Sequence, residues 1–167
     1  MNQHLSKTAL SRPFTNFYKL AENYCNFIES SEKISAEAFL VSIQKHLVEL
    51  YSSGLKLEDV DLTSVINYER AYTNSEIINL ISEKLDAQFY WHIFDPSDLN
   101  DTEAVCGDLI DDLNDIYLDL KSSIELFNPE RDECRENALW QFKFDFDNHW
   151  NSHCINAIYA IHYFLKR

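Results

Sequence analysis

The chain has 167 residues, 28 of them acidic and 14 basic, for a net charge of −14. That charge repels nucleic-acid phosphates and anionic lipid surfaces, which excludes nucleic-acid and membrane partners and leaves an unknown protein partner or a cation. Only 2 Gly and 3 Pro stand against 11 Phe, 9 Tyr and 3 Trp, so turn-rich sandwiches are excluded, and long helices with a dense aromatic core are expected.

Residues 1–12 are polar and are expected to be a loose N-terminus, with residues 13–167 forming a single helical-bundle domain. The opening stretch has no apolar run of signal-peptide length, and no window reaches the length of a membrane span, so the expected location is the cytoplasm. Cys25, Cys106, Cys134 and Cys154 are scattered and form no C-x-x-C pair, which reads as reduced thiols in or near the core.

A first helix is predicted from Pro13 to Glu29, with Phe14, Phe17, Tyr18, Ala21, Tyr24, Cys25 and Ile28 recurring at three- and four-residue steps. A second begins at the N-cap Ser35, carries Phe39, Leu40, Ile43, Leu47, Leu50 and Tyr51, and stops at Gly54. Residues 55–73 lack periodicity and are expected to pack across the bundle, with at most one helical turn. The third helix is placed from Asn74 or Ser75 to Phe94, followed by an acidic loop from Asp95 to Thr102.

The fourth helix is placed from Glu103 to Phe127. On its wheel Asp108, Asp111, Asp112, Asp115 and Asp119 span roughly −60° to +40°, while Leu109, Leu113, Ile116, Leu120, Ile124 and Phe127 fall at roughly 80° to 160°. The fifth runs from Glu130 to Phe164 with apolar residues around much of its circumference, so it is expected to be central. No strand is expected, and Trp91, Trp140 and Trp150 are assigned to the core. The fold expected is all-α: a single compact bundle of about five main helices around a long C-terminal helix.

The chemistry is concentrated on the last two helices. Asp145, His149 and His153 follow at four-residue steps and form one curved row. Histidines four apart can share a metal ion, but no Glu follows His149, so the H-E-x-x-H protease arrangement is absent. The E-x-x-H pairs of di-iron bundles are absent too. The metal candidates are Asp111, Asp112, Asp115, Asp119, Asp145, His149 and His153, with Mg²⁺, Mn²⁺ or Zn²⁺ as the ion. A row of Asp without interleaved Lys costs helix stability, which suggests that these carboxylates have partners. The simplest partners are the imidazoles: Asp112 or Asp115 would bond His149 or His153 across the helix pair. No catalytic residue is assigned, although His149 and His153 could act as bases, and no cofactor is assigned.

The blocks Asp111-Asp-Leu-Asn-Asp-Ile-Tyr-Leu-Asp-Leu-Lys121 and His149-Trp-Asn-Ser-His153, with Tyr90-Trp-His-Ile-Phe-Asp-Pro96, resemble a bacterial domain-of-unknown-function family. The resemblance implies a small cytosolic helical domain and carries no activity. The first expectation is therefore a non-enzymatic interaction module with a structural Asp–His network. The alternatives are a divalent-metal hydrolase acting on a phosphorylated small molecule and a structural homo-oligomer.

Overall fold

The computed structural model describes residues 11–68, 75–128 and 130–166. The stretch 1–10, expected to be loose, the end of the expected link, 69–73, and Asn74, one of the two expected starts of the third helix, lie outside the described residues. Ser11 opens α1 (Arg12–Glu29) by accepting the Phe14 amide on its hydroxyl, and Pro13 sits in the first turn, where its missing N–H costs nothing. The helix buries Phe14, Phe17, Ala21, Tyr24, Cys25 and Ile28, which is the predicted stripe. After the 3₁₀ turn Ser31–Lys33, Ser35 caps α2 (Ala36–Gly54), which buries Phe39, Ile43, Leu47 and Leu50.

Gly54 ends α2 as expected, for a different reason. No described residue has a positive φ. A Cβ on Gly54 would lie 2.6 Å from the Phe146 ring, so the glycine permits close packing rather than a left-handed cap. The following link does cross the bundle. The Thr63 amide and hydroxyl donate to Glu136 at 2.5 and 2.6 Å, and the Ile66 amide donates to Asn137 Oδ1 at 3.1 Å.

The third helix is shorter than predicted: α3 covers Ser75–Ser82. Lys84, just beyond it, is buried and donates to the carbonyls of Glu32 and Ile34 at 2.7 and 3.0 Å, tying this region to the α1–α2 connection. The chain then forms β1 (Phe89–Ile93), which pairs antiparallel with β2 (Ala104–Asp108), Phe89 opposite Asp108 and Ile93 opposite Ala104. This corrects the expectation of no strands. Phe-Tyr-Trp-His-Ile is a run of strand-favouring side chains that alternate between two environments. Tyr90 points inward while Phe89 and Trp91 point out, so Trp91 is not a core residue.

The fourth helix also starts later than predicted. Its expected first turn is β2, and α4 spans Leu109–Leu126. Asp108 is its N-cap, accepting the Ile110 amide at 2.9 Å, instead of a member of the helical face. The expected single C-terminal helix is a rod in three parts: α5 (Asp132–Asp145), a π-helical turn (Phe146–Trp150) and α6 (Asn151–Phe164). It is central as expected. Trp150 is wholly buried, with Phe146 and Phe17 at ring-centroid distances of 4.9 and 6.1 Å. The fold is thus a helical bundle with one small hairpin.

Candidate functional site

Along α4 the predicted aspartate row splits into distinct environments. Asp111 faces solvent, Asp115 is half-buried, and Asp112 and Asp119 are buried. A buried carboxylate needs donors, and α6 and the π turn supply them. Asp119 Oδ2 lies 2.7 Å from His149 Nδ1, and Asp112 Oδ1 lies 2.8 Å from His153 Nδ1. A carboxylate only accepts, so Nδ1 of each imidazole carries its proton and donates. The expected Asp–His network between the fourth helix and the C-terminal rod is present, with Asp112 and Asp119 as its acceptors.

Asp112 has a second donor that sequence reasoning missed. The Tyr90 hydroxyl donates to Asp112 Oδ2 at 2.5 Å, making a chain from the hairpin through α4 to α6. Gly107 makes this possible: a Cβ there would lie 2.3 Å from Tyr90 Cζ, so the phenol ring lies directly across β2. Gln88 braces the same corner by donating to Asp108 Oδ2 at 2.7 Å. The signal for this corner was present in the alternation of Phe-Tyr-Trp-His-Ile and in Gly107, but it is masked by apolar spacing that also fits a helix.

With both Nδ1 atoms engaged, both Nε2 atoms face Asp115. Oδ2 of Asp115 is 3.8 Å from His149 Nε2 and 3.6 Å from His153 Nε2. Neither distance is a hydrogen bond. The rings are edge-to-face with centroids 4.9 Å apart. One ligand atom from each of Asp115, His149 and His153 lies within 4.8 Å of the others. The hydrogen bond that His153 donates to Asp112 raises the His153 pKa above its ordinary value, against the effect of burial. Burial, then the neighbouring Asp111 charge, raises the Asp115 carboxyl, while the two imidazoles act in the opposite sense. Burial and Asp112 push the Tyr90 hydroxyl well above the ordinary phenol range.

Asp145 does not join this group. It is buried and accepts from Gln141 Nε2 at 2.7 Å, because the π turn between it and His149 changes the phase of the helix and takes it off the expected row. The four cysteines are free thiols, as expected. Cys106 is exposed on β2, and burial pushes Cys154 up to about 12.

The model of the domain-of-unknown-function family DUF5063 matches residues 8–167. Among solved structures, protein BF1032 from Bacteroides fragilis, a structural-genomics target, is similar with a TM-score of 0.77 at 21% identity. The match covers 96% of this chain and 100% of that one. At that identity the likeness shows the fold alone. No curated protein matches the chain.

Proposed function

This chain belongs to the DUF5063 family of domains of unknown function, and we propose that it is a cytoplasmic, single-domain interaction module with no enzymatic role, docking a protein partner on its hairpin. The outward row of β1 supports this reading. Phe89, Trp91 and Ile93 are 61%, 67% and 41% exposed on one side of the strand, and Phe94 just beyond is 81% exposed. Large apolar side chains grouped on one face mark an interaction surface, whereas single scattered ones do not. Asp86, Asp95, Asp98, Asp101, Glu103 and Asp108 flank that face in the chain. An aromatic strip with an acidic border fits a partner surface that is apolar at its centre and basic at its rim. The Tyr90–Asp112–His153 chain anchors the hairpin to α4 and α6, so the strip is presented on a braced support. Among the described residues no helix is long and apolar enough to cross a membrane.

The test is site-directed photo-crosslinking in living cells. A photoreactive phenylalanine at position 91 should yield one discrete adduct with another protein. The same group at Val48, which is 51% exposed on α2, should yield none. No adduct from position 91 ends the proposal. An adduct of twice this chain's mass replaces it with homo-oligomerisation.

A further inference from the structure

The docking surface leaves unexplained why two histidines should be held as they are. A histidine that serves only as an interhelical brace needs one good acceptor, and each has it at Nδ1. The opposite ring nitrogens are nevertheless directed at one shared carboxylate. We propose that Asp115, His149 and His153 form a binding site for a borderline divalent transition ion of the Zn²⁺ and Co²⁺ class. This goes beyond the docking reading and does not depend on it.

Several observations converge on the same three atoms. Metal-binding histidines characteristically donate their second ring N–H to a carboxylate, which fixes the tautomer and raises the basicity of the ligating nitrogen. Both histidines here do so, and to buried carboxylates at 2.7 and 2.8 Å. The spacing is close to what an ion requires. Tetrahedral Zn²⁺ with bonds of about 2.0–2.1 Å sets its ligand atoms about 3.3–3.4 Å apart. The two imidazole-to-carboxylate separations are 3.8 and 3.6 Å and all three ligand atoms lie within 4.8 Å of one another, so rotation of the partly exposed His149 ring and of the Asp115 carboxylate would draw the set together around an ion.

Local backbone and exposure agree. His149 lies in the π-helical turn and His153 in the first turn of α6. π turns inserted in helices are frequent at functional sites, and this one sets the phase that turns His149 towards Asp119 and Asp115. The His149 side chain is 47% exposed and that of Asp115 26%, so an ion has a path in and keeps positions open to water. Electrostatics point the same way: Asp111, Asp112, Asp115 and Asp119 put four carboxylates on one face of α4, and a divalent ion offsets their mutual repulsion. Two nitrogen donors of three select imidazole-binding ions over Mg²⁺ and Ca²⁺, which take oxygen.

The experiment uses the purified full chain, stripped with chelator and titrated with Co²⁺ while visible absorption and calorimetry are recorded. One Co²⁺ per chain, with a ligand-field band in the visible and displacement by Zn²⁺, is expected. Asp115→Asn replaces the anionic ligand by a neutral, weaker amide oxygen without breaking a hydrogen bond, so it should keep the metal-free melting temperature and weaken Co²⁺ binding by more than about 100-fold. His153→Gln should weaken it likewise, and Asp119→Asn, one step removed from the ion, by about 10- to 100-fold. Failure of wild type to bind Co²⁺ or Zn²⁺ at one ion per chain overturns the proposal. So does binding that Asp115→Asn leaves unchanged, or a response to Mg²⁺ alone. None of these outcomes bears on the crosslink from position 91.

Discussion

Both glycines of the chain are explained by one aromatic ring each. Neither Gly54 nor Gly107 adopts a backbone conformation that side chains avoid. Each leaves room for a ring, of Phe146 and Tyr90 respectively. Gly107→Ala should therefore lose about 1–3 kcal/mol of stability by overpacking, seen as a lower urea midpoint, and should weaken the Tyr90 hydrogen bond to Asp112. His46 allows a pH prediction away from the candidate site. It packs against Phe27 with ring centroids 5.0 Å apart. Burial holds its pKa below the ordinary 6.5, against an opposing pull from Glu49. A lowered folded-state pKa means that the contribution is complete above 6.5 and is lost as pH falls through the folded value. Between about pH 7.5 and about pH 5 the unfolding free energy of wild type should drop more than that of His46→Gln, measured by urea titration at each pH.

At the scale of the element, α4 shows how identical residues acquire different tasks. Asp108 caps the helix, Asp111 is solvated, Asp112 and Asp119 accept from imidazoles, and Asp115 lies between the two rings. Asp112→Ala strips the Tyr90 hydroxyl and His153 Nδ1 of their acceptor and should cost about 1–3 kcal/mol, detected as a lowered melting temperature. Asp115→Ala breaks no hydrogen bond to either ring and should cost less than about 1 kcal/mol in the same assay. The aspartate row and the histidine pair were legible in the sequence because helical spacing alone places each set on one side of its helix. Which aspartate meets which ring was not legible, because that depends on the relative height of two helices and on the π turn. The same limit explains Asp145. Sequence spacing puts it in line with His149, and the inserted turn takes it out of line.

For the whole molecule, the centre of the bundle is Trp150 against Phe17 and Phe146. Trp150→Ala should remove about 3–5 kcal/mol by leaving a cavity among aromatic rings, and should shift the urea midpoint without changing the slope of the transition. The charge of −14 predicts that stability rises as salt screens repulsion from low ionic strength to about 0.15 M. The residues themselves determined the helical class, the buried stripes of α1 and α2 and the partnership of aspartates with histidines. Composition and local periodicity act within a few residues and need no knowledge of what packs where. The hairpin, the outward turn of Trp91, the seating of Tyr90 over Gly107 and the meeting of Asp115 with two ring nitrogens were decided only by the tertiary structure. Each depends on atoms from segments far apart in the chain, and their fit in space is set by packing that no single segment encodes.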